Sequence, residues 1–374
     1  YYKITKNKIN KNISYKTCKK ELHDIIEQSI KKMLIADVEI GCFLSGGIDS
    51  SLVALLMQRN AKKRIKTFSV GFNENEYDES GFAKSVAEKI GSQHYEVKVN
   101  IDDMLNEVEN IANIIDEPFS DSSIIPTTIV SKLAASKVKV VLSGDGGDEI
   151  FLGYNRYSFA KRVSKLKSKS PDIFRKLISK GIKFIPPWFY DKLSIPFQKI
   201  LGVHGLSHKM NKLSNILSYE SNSDFYKKLN IFDNDVLSEL SKKEEDIFDK
   251  YHDMNLIESV QRNDIDFYLP NDILVKVDRA SMFSSLEVRS PFLNHKVVNK
   301  AFDLPIEFKL KNKITKYILK DLLSDFFPKS IIHRPKMGFA IPIERWMENK
   351  KFKSTLDEIF HESGWNQFGW NKKK

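Results

Sequence analysis

The fold is decided by one stretch of sequence, Gly41-Cys-Phe-Leu-Ser45-Gly46-Gly47-Ile-Asp49-Ser50-Ser51-Leu. Its apolar start predicts a buried strand, its adjacent glycines a tight turn, and its hydroxyl side chains the opening of a helix. Glycines let the backbone come close to a ligand, and the first amides of a helix have no intrahelical partner. The stretch therefore predicts an anion-binding loop, although an ordinary strand–turn–helix with serine caps has the same pattern.

Strand and helix patterns alternate around this loop. Apolar runs predict strands over 38–44, 65–70, 94–99 and 138–142. Residues at helical spacing lie between the strands, for example over 102–115. This alternation predicts an α/β fold with a doubly wound parallel sheet. Past about residue 155 the alternation stops, and the chain becomes lysine-rich and mostly helical.

Composition excludes several classes of protein. The chain has 374 residues, of which 41% are apolar, and a net charge of +11 that is spread along its length. A solvated basic surface explains that charge better than a nucleic-acid site, so no nucleic-acid partner is expected. Cys18 and Cys42 are too few for a disulfide framework or a zinc site, which indicates a reducing cytoplasm. No apolar run approaches the roughly 20 residues of a membrane span, so no membrane partner is expected.

The anion expected in the first loop is the pyrophosphate part of ATP. The loop lacks the lysine of the G-x-x-x-x-G-K-[ST] motif, which acts on the phosphoryl group being transferred, so phosphoryl transfer is disfavoured. A loop that grips the terminal phosphates, with Asp49 bringing in Mg²⁺, suits attack at the α-phosphate instead. The expected product is an acyl-adenylate.

A second glycine loop, Ser143-Gly144-Asp145-Gly146-Gly147-Asp148-Glu149, follows the last of these strands. In an open parallel sheet, ligands bind at the carboxyl ends of the strands. Unpaired carboxylates are costly to bury, whereas Mg²⁺ and phosphate would satisfy them. The alternative is a solvated acidic turn.

The two loops together resemble the synthetase domain of glutamine-hydrolysing asparagine synthases. That family has a pyrophosphate loop S-G-G-[LI]-D-S-S and a second signature S-G-[ED]-G-x-D-E, and both stand here in the same order. Two later segments extend the resemblance to about residues 18–350: 276–293 and 334–342. The resemblance implies a five-stranded sheet of the adenine-nucleotide alpha-hydrolase, or pyrophosphate-loop ATPase, type.

The resemblance also implies roles for single residues, with ATP and Mg²⁺ as cofactors. The ATP site would contain Leu44, Ser45, Gly46, Gly47, Asp49, Ser50, Ser51, Val70, Ser143 and Gly144. Asp49 and Asp148 would hold Mg²⁺. Asp145 matches the proposed base toward ammonia, although better-known members carry the longer glutamate there. Lys336 resembles the lysine that stabilises developing charge, and its alternative is a surface lysine.

Glu287 and Arg289 alternate with Val288 shortly before Pro291. Such a pair can recognise the two charged ends of an amino acid, as the resemblance to the family implies. A structural ion pair has the same sequence pattern, so both interpretations stay open.

The leading hypothesis is a ligase that converts aspartate, ATP and ammonia to asparagine, AMP and pyrophosphate. The main alternative keeps this chemistry with another acceptor, such as a sugar acid of a surface polysaccharide, or the substrate of a lactam or peptide cyclase. A catalytically silent scaffold or nucleic-acid binder, and an enzyme that adenylates a nucleic-acid base, are disfavoured by the same motifs.

The family carries an upstream glutaminase domain with a cysteine at its mature N-terminus, whereas this chain begins at Tyr1. We therefore expect residues 1–17 to be a linker or the tail of that missing domain. Residues 18–155 would form the nucleotide-binding core and 156–374 a mostly helical part. In the full-length protein, glutamine would supply the ammonia, and a homodimer is one expected assembly.

Overall fold

The computed structural model describes residues 4, 13–74, 78–186, 188–190, 192, 206–229, 248–334, 346, 350, 352–354 and 358. Lys336 and most of the predicted tail over 1–17 lie outside the described residues. The chain forms two compact units. Unit 1 comprises Tyr1–Gly146, Asp272–Leu304 and Ile318–Lys374, and unit 2 comprises Gly147–Asn271 and Pro305–Tyr317.

Strands and helices alternate up to the second glycine loop. In chain order they are α1 Tyr15–Met33, β1 Ile40–Phe43, α2 Ile48–Asn60, β2 Lys66–Phe72, α3 Ser80–Ile90, β3 Gln93–Val99, α4 Ile101–Ile114, α5 Ile124–Ala135 and β4 Val140–Leu142.

The rest of the described chain is mostly helical. Its elements are α6 Gly147–Ile150, α7 Asn155–Lys169, α8 Asp172–Phe184, α9 Leu206–Leu217, α10 Asn222–Leu229, a 3₁₀ turn Asp249–Tyr251, α11 Leu256–Asn263, a π-helix Asp264–Leu274, α12 Val275–Met282, β5 Glu287–Arg289, a 3₁₀ turn Pro291–Leu293, α13 His295–Asp303, α14 Ile306–Lys309, α15 Tyr317–Leu323 and α16 Lys329–Ile332. Within the described part of the chain, no helix is both long and apolar enough to cross a bilayer.

The sheet confirms the predicted fold class. It has five parallel strands in the order β3-β2-β1-β4-β5. The chain runs outward from β1 to β3 and then returns to β4 on the other side of β1. The carboxyl ends of β1 and β4 therefore form the topological switch point, where open α/β sheets bind ligands.

Burial of the central strands explains their apolar sequences. Cys42 of β1 and Val141 and Leu142 of β4 are completely buried. Helix α2 packs behind the first loop and buries every residue from Ser50 to Met57, which is why it has no polar face. Such burial on both faces is typical of parallel strands and of the helices that connect them. The first glycine loop is thus carried on rigid elements.

Candidate functional site

The first glycine loop has the backbone shape that its sequence predicted. Gly46 has a φ of 70°, which favours glycine. A Cβ on Gly46 would also lie only 2.7 Å from the backbone of Phe82 and Ala83. The loop is therefore held tightly against α3.

The helix that follows the loop opens without a side-chain cap. Gly47 is the N-cap residue of α2, and because it has no side chain it makes no cap hydrogen bond to the first amides of the helix. Ser45 and Ser50 bond to each other instead, with their Oγ atoms 3.1 Å apart. The amide of Ser45 also donates to Ser50 Oγ at 3.3 Å. The two hydroxyls thus shape the loop, while the helix opening stays suited to an anion.

Arg334 holds the carbonyl groups of this loop. Its Nε donates to Gly46 O at 3.3 Å and its Nη2 to Ser45 O at 3.4 Å. Its Nη1 pairs with Glu79 Oε1 at 2.5 Å, and the guanidinium lies 4.6 Å from the centre of the Phe82 ring. Because the arginine bonds carbonyls that would repel an anion, it favours a loop that presents its amides to a ligand.

The two glycine loops touch at Gly144. A Cβ on this residue would lie 2.8 Å from Ser50 N and 2.9 Å from Asp49 Cβ. Only glycine allows this approach without a backbone shift. The structure therefore brings Asp49, Ser50 and Gly144 together, as the sequence hypothesis requires.

The residues predicted to line adenosine lie at the same edge of the sheet. Leu44 directly follows β1 and Ser143 directly follows β4, while Val70 lies near the end of β2. The strand registers pair Phe43 with Phe68 and Cys42 with Leu142, so these carboxyl ends are adjacent. All three predicted residues are buried, with Ser143 Oγ 3.0 Å from Ser290 Oγ. Their roles toward adenosine stay predictions.

The acids of the second loop have different surroundings. Asp145 is half-buried at the end of unit 1. Asp148 belongs to α6 in unit 2, where its Oδ1 lies 2.7 Å from Lys316 Nζ. The predicted magnesium ligand thus already has a cationic neighbour within its own unit.

Glu149 is the deeply buried acid of the second loop, with 1% of its surface exposed. The phenol of Tyr154 donates to its Oε1 at 2.6 Å, and Gln261 Nε2 donates to its main-chain oxygen at 2.9 Å. The pKa of Glu149 is raised to about 7, first by burial and then by the charge of Asp148, while the Tyr154 hydrogen bond opposes both effects. These contacts fix α6 and thereby the main chain that carries Asp148.

Within the described residues, no three His, Cys, Asp or Glu side chains cluster as a metal site. This does not conflict with the magnesium hypothesis, because Mg²⁺ bound to nucleotides uses one or two carboxylates together with phosphate oxygens. Aspartate oxygens are the hard ligands that this ion prefers.

The contacts of Arg289 match those of a structural ion pair. Its Nε lies 2.6 Å from Glu287 Oε1, and this arginine lowers the pKa of Glu287 through a hydrogen bond. Arg289 Nη1 also donates to the main-chain oxygens of Met33 at 2.7 Å and Ile35 at 3.0 Å, where α1 ends. The guanidinium thus closes α1 onto the sheet, which favours the structural interpretation over amino-acid recognition.

Sequence reasoning missed the supporting residues of the site. Arg334 belongs to a segment that supports the family resemblance, but the sequence assigned it no role. No role was assigned to Tyr154, Gln261 or Lys316 either. The signal of Arg334, Gln261 and Lys316 is weak because each contacts a loop that lies far away in sequence. A buried arginine beside a proline or a tyrosine soon after an acidic loop is a common pattern.

Comparison with known proteins agrees with the motifs. The family model described as asparagine synthase matches residues 21–374. The chain is 31% identical over 337 residues to asparagine synthetase [glutamine-hydrolyzing] 1 of Bacillus subtilis, covering 88% of this chain and 51% of that protein. It is 32% identical to a putative asparagine synthetase [glutamine-hydrolyzing] of Mycobacterium bovis, covering 87% and 48%.

A more distant relative extends this similarity. The asparagine synthetase [glutamine-hydrolyzing] of Homo sapiens is 23% identical, covering 92% of this chain and 47% of that protein. The chain thus spans about half the length of the curated relatives it matches. With the fold, the two loops and the family model in agreement, the chain belongs to the asparagine synthase family.

Proposed function

We propose that this chain is an ATP-dependent, amide-forming ligase that adenylates the side-chain carboxylate of aspartate and transfers ammonia to it. The observation that carries the proposal is the first loop. Helix α2 opens without a side-chain cap, while Arg334 bonds the loop carbonyls of Ser45 and Gly46. This arrangement favours a polyphosphate at the switch point of the sheet.

The reaction has two balanced steps. A carboxylate oxygen of the acid attacks the α-phosphorus of ATP, and the bond to pyrophosphate breaks. Ammonia then attacks the acyl carbon, a proton passes from its nitrogen to a base, and AMP leaves. Holding adenylate and ammonia together supplies much of the rate, because two reactants become one bound assembly.

The loop residues divide this work. The opening amides of α2, with Ser45, Ser50 and Ser51, bind the pyrophosphate that leaves. Asp145 is proposed as the base toward ammonia and Lys336 as the cation that stabilises the developing charge, both by resemblance. The adenosine would lie along Leu44, Val70, Ser143 and Gly144, at the carboxyl ends of β1, β2 and β4.

Asp49 and Asp148 are the proposed magnesium ligands. When bound, the ion would neutralise charge on the phosphates and so make pyrophosphate a better leaving group. Asp49 lies in the first turn of α2. Its carboxylate would lie beside the amides proposed to bind the phosphates, where it would orient the nucleotide as well as bind the ion.

We propose that an N-terminal glutaminase domain supplies the ammonia from glutamine in the full-length protein. The names of the relatives describe those proteins as glutamine-hydrolysing, and the chain spans about half of their length. A cytoplasmic location and a homodimer remain predictions of the same kind.

One observation favours a second acceptor. Arg289 is bonded to Glu287 and to the carbonyls that end α1, so the pair proposed for amino-acid recognition is engaged in the structure. The adenylation and amidation chemistry would be the same with a sugar acid, or with a lactam- or peptide-forming substrate.

Exchange of labelled pyrophosphate into ATP tests both versions. With aspartate we expect exchange, and ammonium chloride should then give asparagine. Exchange that needs a uronic acid or another acid would replace aspartate as the acceptor. A folded protein that exchanges with no acid would contradict the ligase proposal.

The same assay tests the magnesium ligand. Asp49→Asn removes a carboxylate charge with little change in volume, and we expect exchange to fall about a hundredfold or more. Asp37→Asn is the matched control, because Asp37 is exposed before β1. Full activity of Asp49→Asn would exclude Asp49 as a ligand.

A further inference from the structure

Helix α8 of unit 2 exposes five apolar residues and buries two polar ones, Arg175 and Ser179. Its exposed side chains include Ile173 at 65%, Phe174 and Leu177 at 58%, Ile178 at 52% and Phe184 at 90%. These residues recur at helical spacing in two neighbouring rows, 173, 177 and 184 in one and 174 and 178 in the other. Together they form one broad face. We call this set of five residues the α8 face.

The opposite side of α8 attaches the helix to unit 2. Arg175, Ser179 and Ile182 are its buried residues. Ser179 Oγ donates to Ser214 O at 2.9 Å, and Arg175 Nη1 donates to Leu217 O at 3.2 Å. Polar contacts to α9 therefore orient the helix with its apolar face outward.

Two aromatic residues that follow α8 in sequence are also exposed. Trp188 is 63% exposed and Phe189 43% exposed, and their rings meet edge to face at 5.9 Å. Tryptophan and phenylalanine on the apolar side of an amphipathic helix are typical of segments that lie in a bilayer interface.

A row of lysines borders the α8 face. Lys176, Lys180 and Lys183 are spaced three and four residues apart, so they share one side of the helix, and all three are exposed. Lys176 lies 3.0 Å from Glu220, a pair whose two side chains are both more than half exposed. The row thus presents positive charge beside an apolar surface.

We propose that the α8 face docks on an anionic lipid bilayer, with its apolar side chains in the interface and the lysine row on the phosphates. Charge complementarity selects this occupant. In a two-fold dimer through the same face, the lysines of both copies would come together and repel. A bilayer with anionic headgroups offers the opposite charge and an apolar layer at once.

The proposal does not depend on the ligase chemistry, and it differs from the sequence-based expectation of no membrane partner. That expectation considered only segments able to cross a membrane. An interfacial helix needs a polar side, and α8 alternates apolar residues with lysines, so no long apolar run marks it.

Vesicle flotation tests the proposal on the 374-residue chain. We expect binding to vesicles of equal parts phosphatidylcholine and phosphatidylglycerol, at least tenfold weaker binding to pure phosphatidylcholine, and weaker binding as salt rises. Equal binding to both vesicles, or to neither, would overturn the proposal.

Two pairs of variants distinguish vesicle binding by the α8 face from binding by the net charge of the chain. Lys180→Glu/Lys183→Glu should lower binding at least tenfold, while Lys62→Glu/Lys63→Glu, with the same net charge and exposed sites in unit 1, should not. Leu177→Ser/Phe184→Ser should also lower it tenfold, whereas Ile35→Ser, at a 77% exposed site, should not. Similar losses in a variant and its control would contradict the proposal.

Sedimentation equilibrium without lipid tests whether a second copy of the chain, rather than a bilayer, covers the α8 face. A dimer that Leu177→Ser/Phe184→Ser dissociates would overturn the membrane proposal in favour of a second copy. A monomeric wild type that binds no vesicles, and whose α8 amides exchange as slowly as those of buried helices, would show that the rest of the chain covers the face.

Discussion

The glycine loops after β1 and β4 hold their polar side chains in different ways. In the first loop, Ser45 and Ser50 bond each other and nearby main-chain groups. In the second, Asp148 pairs with Lys316, and Glu149 is held by Tyr154. Gln261 bonds the main chain of the same loop. The hydroxyls of Ser45 and Ser50 are thus satisfied within the first loop, whereas Asp148 and Glu149 depend on contacts within unit 2.

This difference teaches where each loop is vulnerable. Serine hydroxyls keep their partners whenever β1 and α2 are in place. Buried carboxylates are costly without their donors, so the second loop is only as well ordered as the network around it. Damage inside unit 2 should therefore reach the second loop and spare the first.

The largest effect is expected from a substitution at Gly144, where the two glycine loops touch. Gly144→Ala places a Cβ 2.8 Å from Ser50 N, so the backbone of one loop must move. We expect pyrophosphate exchange to fall about a hundredfold or more, since small displacements of catalytic groups are costly. Overpacking should also destabilise the fold by about 1–3 kcal/mol in urea unfolding.

Gly81→Ala is the matched control, because a Cβ on Gly81 meets no atom within 4 Å. Its exchange rate should equal that of the wild type. If both variants keep full activity, the two loops do not form one site.

Arg334→Gln tests the distant support of the first loop. The change leaves Glu79 without its cation and releases the carbonyls of Ser45 and Gly46. We expect a loss of about 3 kcal/mol in stability, as for other broken buried pairs, and a KM for ATP raised about tenfold.

Arg64→Gln is a matched control, since Arg64 also donates to two carbonyls, of Gly91 and Ser92, but is exposed. It should change stability little and leave the KM for ATP unaltered. An Arg334→Gln enzyme with normal KM would show that the loop keeps its shape without the arginine.

Tyr154→Phe tests how much the second loop depends on the hydrogen bonds around Glu149. Removing the phenol takes a hydrogen bond from the buried carboxyl of Glu149, which should cost about 1–3 kcal/mol in urea unfolding. Tyr251→Phe removes a phenol that bonds Asp266 at an exposed position and should cost much less. Equal costs would mean that the Glu149 network contributes no special order.

The smallest effect concerns the sheet beneath the first loop. Burial lowers the pKa of His94 below its ordinary value of 6.5, with Lys84 adding to the shift and Glu96 opposing it. The unfolded chain then binds a proton more readily than the folded one. This stability is complete above pH 6.5 and is lost as the pH falls from 6.5 through the lower folded pKa.

Urea unfolding at pH 7.5 and 5.5 measures this loss. His94→Gln, which keeps a hydrogen-bonding group near Thr67 and Ser69, should reduce the difference between the two pH values. His333→Gln, at an exposed position, should leave it unchanged. An unaltered difference in His94→Gln would exclude His94 as its source.

Much of the fold was predictable because buried parallel strands appear as apolar runs. The predicted strands match β1 to β4 within a few residues. Strand β5 has only three residues and carries Glu287 and Arg289, so no apolar run marks it. Helix α5 was not predicted either. Ile124–Ala135 is buried on most sides, so its sequence has little helical periodicity.

The site was predictable only in its local part. Ser45 to Ser51 are consecutive, and the chemistry of a glycine loop before a helix can be read from them directly. The contact of Gly144 with Asp49 depends on strand order, and the contacts of Arg334 depend on how a distant segment returns to the sheet. Neither has a periodicity or a spacing that sequence patterns can reveal.

The Arg334 contact has a consequence for synthesis on the ribosome. The arginine follows Gly46 by 288 residues, and at about 5–20 residues per second it is made roughly 15–60 s later. Strands β1 to β4 are complete long before that time, so the sheet can form while the loop carbonyls still bond water. The first glycine loop should therefore be among the last features of unit 1 to mature, and a nascent chain that stalls before residue 334 should carry a formed sheet with weak ATP affinity.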